Sequence, residues 1–260
     1  MSSYKERFVE TPQGSTRIWE KGRGRKVGYF GGLYGVPRWT PFLDKLAETR
    51  RVVVPSLPGF PGGPSSEPLD GLLDWIIAAH DAFVAAGLEG ANLIGASVGG
   101  ALAAECAALW PGSVRRLVLI APFGLYDQNE PVADVFAQRP GQTAALVSQK
   151  PADLASYLSV PKDGDAGEWE VQALRASIAS AAVIWPLGNT RLIKRIPRIA
   201  APTLLVWGDN DRVIPASYAK RFADGIAGKT RVRIVKKAGH MADFDDPKGV
   251  ARSIDSFLAA

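Results

Sequence analysis

Alternating polar and apolar residues mark two segments near the start of the chain, residues 4–10 and 15–21, on either side of a turn-forming stretch at 11–14. Successive side chains of a strand point to opposite faces of a sheet, so this alternation predicts an antiparallel hairpin. The apolar runs at 51–54 and 114–121 are continuous instead, which is typical of strands buried on both faces of a parallel sheet. Further strands are predicted at residues 26–30, 91–94, 202–207 and 231–235.

Apolar residues recur about every 3.6 positions between residues 68 and 86, through Leu72, Ile76 and Phe83 among others, which predicts an amphipathic helix. Pro68 suits the start of this helix. Further helices are predicted at residues 39–48, 101–109, 216–227 and 247–258. Because strands alternate with amphipathic helices, the chain is predicted to be an α/β protein with a mostly parallel sheet flanked by helices on both faces.

This rhythm stops between residues 123 and 197, where no segment is a convincing strand. Helical or loop-like segments are expected there at residues 132–138, 141–149, 152–158, 168–182 and 191–196. The chain is therefore predicted to have a core of residues 1–122 and 198–260 and a helical insertion at 123–197.

Composition and charge describe an ordinary globular protein: 47% of the residues are hydrophobic, 22% are charged and the net charge is +5. Basic and acidic residues are interspersed, so no nucleic-acid partner is expected. The basic residues Arg191, Lys194, Arg195 and Arg198 are assigned to the polar face of a short helix.

Acidic residues and His80 interrupt the most apolar helical stretch, residues 72–88, so no membrane span is expected. The first residues lack the pattern of a secretory signal. The single cysteine, Cys106, cannot form an internal disulfide and is assigned to a buried helix position. A cytoplasmic location is expected.

The most informative stretch joins the predicted strand at 91–94 to the helix at 101–109 through Gly95-Ala96-Ser97-Val98-Gly99. A serine on such a sharp turn projects its hydroxyl above the sheet, and glycine at both flanking positions lets strand and helix pass closely. Ser97 is therefore a candidate nucleophile.

A serine hydroxyl needs a base, and the base needs a group that orients it. His240 follows the last predicted strand, where α/β proteins place their chemistry, whereas His80 lies within a helix. Asp211 and Asp209 both follow the strand at 202–207. Asp211 is favoured as the orienting acid, because Asp209 is well placed to cap the turn through backbone N–H bonds.

Three further carboxylates, Asp243, Asp245 and Asp246, follow His240. They are interpreted as negative charges near the N-terminus of the final helix, which the helix dipole favours.

Gly95-Ala-Ser97-Val-Gly99, Gly208-Asp-Asn-Asp211 and Gly239-His240, in this order, resemble the nucleophile elbow, acid turn and histidine loop of the α/β-hydrolase fold family. The resemblance implies that the insertion at 123–197 is a helical cap over the active site. It also implies two oxyanion-hole donors. These are the N–H of Val98 and that of Leu33, with Gly32 as the alternative to Leu33.

Two departures from the family are visible in the loops. Gly31-Gly32 stands where many members carry His-Gly, and Pro55-Ser56 stands where many carry Pro-Asp. Both departures remove side chains that commonly brace the loops around the active site.

The function predicted is hydrolysis of a small or medium apolar carboxylic ester through an acyl-enzyme on Ser97. The pocket is predicted to include Tyr34, Trp39, Phe123, Leu125, Trp185 and Met241. The chain is expected to act on a small-molecule substrate as a monomer or homodimer, with no metal and no organic cofactor.

Two alternatives are retained. The first is hydrolysis of a carbon–carbon bond in vinylogous diketones from aromatic degradation. Relatives of that type often carry Asn before the serine and Trp after the histidine, where this chain has Ala96 and Met241. The second is a non-catalytic ligand-binding or receptor-like protein of the same fold.

Overall fold

A computed structural model describes residues 4–139, 141–185, 187 and 190–260. Positions 140, 186, 188 and 189 of the predicted insertion lie outside the described residues. Eight strands form one sheet in the order β1-β2-β4-β3-β5-β6-β7-β8. The strands are β1 (Lys5–Thr11), β2 (Gly14–Lys21), β3 (Lys26–Phe30), β4 (Arg51–Pro55), β5 (Asn92–Ala96), β6 (Leu117–Ile120), β7 (Thr203–Gly208) and β8 (Thr230–Val235).

The sheet is mostly parallel, as predicted. β1 and β2 form the expected antiparallel hairpin, and β2 pairs antiparallel with β4. Every pairing from β4 through β3, β5, β6 and β7 to β8 is parallel. The carboxyl ends of β3, β5, β7 and β8 therefore lie at one edge of the sheet, which brings the loops after them together.

Helices cover both faces of this sheet. They are α1 (Pro41–Ala47), α2 (Leu72–Ala85), α3 (Ser97–Leu109), α4 (Gln142–Val147), α5 (Pro151–Leu158), α6 (Ala166–Ile184), α7 (Tyr218–Gly225), α8 (Ala242–Asp245) and α9 (Pro247–Ala259). β6 shows the two-residue period directly, since Leu117 and Leu119 join the apolar core under α2 and α3. Val118 and Ile120 join the separate core under α1 and α9. The α/β prediction is confirmed.

One element differs from the expectations. Helix α2 begins at Leu72 rather than Pro68, because the Asp74 carboxylate accepts the Gly71 N–H at 2.8 Å and sets the first turn there. Residues 132–138, expected to be helical or loop-like, form a loop. The Asp134 carboxylate accepts the N–H groups of Phe136 and Ala137 at 2.8 and 3.0 Å, which stabilises a turn in this loop.

The insertion between β6 and β7 consists of α4, α5, α6 and two short 3₁₀ turns, Leu192–Lys194 and Ile196–Arg198. Its last part is tied to the core by an ion pair of Arg195, one of the residues predicted on the polar face of a short helix. Arg195 donates to both carboxylate oxygens of Glu105 at 2.5 and 2.6 Å, and the Glu105 side chain is only 2% exposed. Arg198 is exposed and donates to the Ala108 carbonyl at 3.0 Å.

No helix in the described part of the chain is long and apolar enough to cross a membrane. The cytoplasmic location and the monomeric or homodimeric state stay predictions.

Candidate active site

Ser97 occupies the junction of β5 and α3, and its φ of 53° lies in the left-handed region that non-glycine residues rarely adopt. The glycines around it are required by close contacts. A Cβ atom on Gly99 would meet the carbonyl groups of Phe30 and Gly31, and one on Gly95 would meet the Gly99 carbonyl. Strand, turn and helix thus pack as the glycine spacing predicts.

His240 follows β8, and its imidazole lies between Ser97 and Asp211. The Nε2 atom is 2.8 Å from Ser97 Oγ, and the Nδ1 atom is 3.0 Å from Asp211 Oδ2. The His240 residue is 1% exposed, and the Phe123 ring packs edge-on against it with centroids 5.5 Å apart. The structure therefore brings together the three residues that the sequence nominates from three separate loops.

Asp211 is held in place by its own turn. Its Oδ1 atom accepts the N–H groups of Val213 and Ile214 at 2.8 and 2.9 Å, which leaves Oδ2 directed at His240. This corrects the turn-capping role predicted for Asp209. The Asp209 carboxylate instead accepts from the Asn210 amide at 3.1 Å and lies 3.7 Å from Lys236 Nζ.

His80, the second histidine, has a packing role in α2. Its ring stacks on Trp110 with centroids 3.9 Å apart and an interplanar angle of 11°. Burial lowers the pKa of His80, which favours the neutral ring in this stack.

Asp245 is a site residue that the sequence interpretation missed. The histidine loop, residues 236–241, is anchored by this buried carboxylate, which accepts the Gly239 N–H at 2.7 Å. The same carboxylate accepts the Ser148 hydroxyl at 2.5 Å and the Gln149 N–H at 3.0 Å, both from the insertion. Asp246, by contrast, caps α9 through the Gly249 N–H at 2.9 Å, in line with its predicted role.

The glycine loop, residues 31–35, follows β3 and closes on itself through the Gly35 N–H and the Gly32 carbonyl at 2.9 Å. The Leu33 carbonyl accepts the hydroxyl of Ser180 from α6 at 2.8 Å. Both bonds fix the position of the loop. The loop lies close to Ser97, because a Cβ atom added to Gly32 would be 3.2 Å from Ser97 Cβ.

Arg17 of β2 braces the loops that follow β3 and β4. Its guanidinium donates to the carbonyl groups of Val36 at 3.1 Å and Pro61 at 2.7 Å. Its own carbonyl accepts the Ser56 N–H at 2.9 Å. Burial lowers the pKa of Arg17, with Glu6 as the nearest compensating charge. No local sequence pattern points to this brace, because its partners lie 19 and 44 residues away.

Ser97 and His240 open onto a cavity of about 240 Å³, called here the active-site cavity. Its other walls are formed by Tyr29, Gly32, Leu33, Tyr34, Gly35, Val36, Thr40, Pro41, Phe42, Ala96, Lys150, Asp153, Tyr157, Met241, Asp243, Phe244 and Pro247. No group of three His, Cys, Asp or Glu side chains that could hold a metal ion occurs among the described residues.

Tyr34 and Met241 line the active-site cavity, but the other predicted pocket residues do not. Phe123 contacts His240 from outside it. The Trp39 indole donates to Asp44 at 2.9 Å, and Leu125 is buried in the apolar core. Trp185 is 58% exposed at the end of α6. Aromatic character alone does not tell which way a side chain points, so these residues could not be sorted from the sequence.

The family model of the alpha/beta hydrolase family matches residues 28–253. That range covers most of the chain and includes all three residues of the Ser97–His240–Asp211 arrangement. The chain therefore belongs to the alpha/beta hydrolase family and is a hydrolase.

Individual relatives are similar over nearly the whole chain. A 2-hydroxy-6-oxo-2,4-heptadienoate hydrolase from Pseudomonas putida is 26% identical, with 94% of this chain and 93% of the relative covered. The human monoacylglycerol lipase ABHD6 is 24% identical over 85% of this chain and 71% of its own. The solved structure of a serine hydrolase involved in carbazole degradation shares the fold, with a TM-score of 0.76, 24% identity and 99% of each chain covered.

Proposed function

We propose that this hydrolase cleaves carboxylic esters through an acyl-enzyme on Ser97. The observation that carries the proposal is the 2.8 Å distance between Ser97 Oγ and His240 Nε2 at the wall of a cavity. A serine hydroxyl becomes nucleophilic when such a base takes its proton. Asp211 completes the arrangement, because its carboxylate orients the imidazole and stabilises its protonated form.

In the first half of the reaction, Ser97 Oγ forms a bond to the ester carbonyl carbon while its proton moves to His240 Nε2. The carbonyl oxygen becomes an oxyanion. His240 then gives this proton to the leaving alcohol oxygen as the carbon–oxygen bond breaks. In the second half, water loses a proton to His240 and attacks the acyl group, and the acid leaves as Ser97 regains its proton.

The oxyanion is proposed to accept hydrogen bonds from the N–H groups of Val98 and Leu33, with Gly32 as the alternative to Leu33. Val98 lies in the first turn of α3, where N–H groups have no partner within the helix and the helix dipole favours negative charge. Leu33 and Gly32 line the active-site cavity together with Ser97. Such donors act strongly because they are fixed before the charge develops.

The insertion at 123–197 is proposed to be a cap that shapes the substrate site. Its residues Lys150, Asp153 and Tyr157 line the active-site cavity. Much of the remaining wall is apolar, including Val36, Phe42, Met241 and Phe244. An apolar cavity of about 240 Å³ suits a small or medium acyl or alcohol group.

Carbon–carbon bond hydrolysis of vinylogous diketones is the second candidate. Support for it comes from the relative named 2-hydroxy-6-oxo-2,4-heptadienoate hydrolase, which is matched over 94% of this chain. The same nucleophile, base and oxyanion donors would serve, with a carbanion as the leaving group. Such enzymes often carry Asn and Trp where this chain has Ala96 and Met241. Because of these two differences, we rank ester hydrolysis above carbon–carbon bond hydrolysis.

A substrate panel decides between the two candidates. Purified protein and its Ser97→Ala variant are incubated with p-nitrophenyl esters from acetate to octanoate and with a 2-hydroxy-6-oxo-2,4-dienoate. We expect ester turnover that is highest for short or medium acyl chains and is lost in Ser97→Ala. Initial rates of p-nitrophenol release and of dienoate absorbance loss give the comparison.

Each other result has a definite meaning. Rapid dienoate cleavage with little ester turnover would move the function to carbon–carbon hydrolysis. Equal ester turnover by Ser97→Ala would contradict the role of Ser97, and no turnover of any substrate would contradict both candidates.

A further inference from the structure

A buried pair of hydrogen-bonded polar side chains lies in the wall of the active-site cavity. Tyr29 lies near the end of β3 and Asp243 lies in α8, and the Tyr29 hydroxyl donates to Asp243 Oδ2 at 2.8 Å. The two residues are 6% and 8% exposed, and both line the same cavity as Ser97 and His240. A substrate held for attack by Ser97 therefore shares its cavity with this pair.

Three other polar side chains of the cavity, those of Thr40, Lys150 and Tyr157, bond to groups of the protein. The Tyr157 hydroxyl donates to the Arg38 carbonyl at 2.8 Å. Thr40 Oγ1 accepts the Leu43 N–H at 3.2 Å, and Lys150 Nζ donates to the Asp245 carbonyl at 2.6 Å. These bonds cap α1, join α5 to the loop at Arg38, and join Lys150 to the end of α8.

Asp243 has more acceptor capacity than the protein uses. A carboxylate offers about four lone-pair positions. The Tyr29 hydroxyl occupies one of these positions on Oδ2. Burial raises the pKa of Asp243 above its ordinary value, and the carboxyl group accepts hydrogen bonds in either protonation state.

Charge also limits what can bind beside Asp243. Asp153 is the other carboxylate among the described lining residues, and Lys150 is the cation among them. A substrate carboxylate next to an ionised Asp243 would meet a like charge in a buried setting, which is unfavourable. A neutral hydroxyl group would instead donate a hydrogen bond to Asp243.

We propose that the Tyr29–Asp243 pair is a subsite for a hydroxyl group of the substrate, so that the enzyme prefers esters carrying one free hydroxyl on an otherwise apolar chain. This preference rests on the proposed ester hydrolysis at Ser97. The subsite predicts a lower kcat/KM for isosteric alkyl esters than for hydroxylated esters, and the lowest kcat/KM for esters that carry a carboxylate.

The test uses the full chain and matched esters of two to five carbons that end in a methyl, a hydroxyl or a carboxylate group. One series varies the alcohol and another varies the acyl chain, and kcat/KM is measured by titration of the acid released. In at least one series we expect the hydroxyl-ended ester to exceed its methyl-ended counterpart about tenfold, as one added hydrogen bond to a buried carboxyl group would give. The carboxylate-ended ester should fall below both.

A double variant, Tyr29→Phe with Asp243→Leu, tests whether the pair causes this preference. Replacing both partners of a buried hydrogen bond by apolar groups of similar shape limits the loss of stability. We expect the ratio of hydroxyl-ended to methyl-ended kcat/KM to fall to about 1. Asp246→Asn is the matched control, because this residue caps α9 three positions away, and its ratio should equal that of the wild type.

Several results would overturn the subsite. Wild-type ratios within about twofold of 1 in every series would do so without any variant. A double variant that lowers both esters equally would show that the pair has a purely structural role. If the wild type hydrolyses none of the esters, the proposed function itself fails and the subsite fails with it.

Discussion

Replacing His240 by alanine is expected to lower kcat for ester hydrolysis by about 10⁶-fold, the loss typical of removing the base or nucleophile of such a triad. The physical reason is that Ser97 Oγ would have no acceptor for its proton, since His240 Nε2 at 2.8 Å is its hydrogen-bond partner. Stopped-flow or long-time assays with p-nitrophenyl esters measure the change.

The chain supplies a matched control in His80, its only other histidine. His80→Ala removes a ring that stacks on Trp110, so it should change stability more than catalysis. A His240→Ala enzyme within tenfold of wild type would contradict general base catalysis by this residue.

Replacing Asp245 by alanine is expected to lower the free energy of unfolding by about 3 kcal/mol, more than the Asp246→Ala or Ser148→Ala replacement. The N–H groups of Gly239 and Gln149 would be left without their acceptor, and each buried unpaired donor costs about 1–3 kcal/mol. Because Gly239 precedes His240, the reaction of Ser97 with a serine-directed phosphonate should also slow. Denaturant unfolding and the inactivation rate give the two measurements.

Asp246→Ala is the control for this change, since it removes a neighbouring carboxylate whose bond caps α9. Loss of such a helix cap costs about 1 kcal/mol, and Asp246→Ala should leave the phosphonate reaction rate unaltered. If both variants unfold alike and react alike, Asp245 does not position the histidine loop. Ser148→Ala, which removes only the partner from the insertion, should fall between wild type and Asp245→Ala.

The geometry of the candidate site was predictable because its signals are local in sequence. Ser97 lies in a glycine-flanked turn, and Asp211 and His240 each follow a predicted strand. Parallel strands then bring these loops to one edge of the sheet. The strands were also predictable from local patterns, which are alternation of polar and apolar residues in β1 and β2 and continuous apolar runs in β4 and β6.

Residues that depend on distant partners were not predictable in the same way. Asp245 bonds to residues almost 100 positions away, and Arg17 bonds to two loops that only the folded chain brings near. Arg17 lies in a strand, as its sequence neighbourhood indicates, whereas Asp245 is the last residue of the unpredicted helix α8. The function of each depends on which groups the tertiary structure places against it.

Pocket residues were the least predictable part of the site. Tyr34 and Met241 flank residues already nominated, and both line the cavity. Trp185 is far in sequence from any nominated residue and is exposed. Tyr29 and Asp243 line the cavity but were not predicted, because Tyr29 depends on the direction of β3 and Asp243 lies in the unpredicted helix α8. Side-chain direction in an insertion depends on how its helices dock, and the sequence pattern does not determine that docking.

Acyl transfer to Ser97 is tested most directly by intact-mass spectrometry of protein quenched in acid soon after mixing with p-nitrophenyl trimethylacetate. The hindered acyl group leaves slowly, so the covalent intermediate accumulates. We predict a mass increase of one trimethylacetyl group, located on the peptide that contains Ser97 and absent from Ser97→Ala, with about one equivalent of p-nitrophenol released in the first turnover. Ester hydrolysis with the acyl group on another residue, or undiminished in Ser97→Ala, would contradict this mechanism.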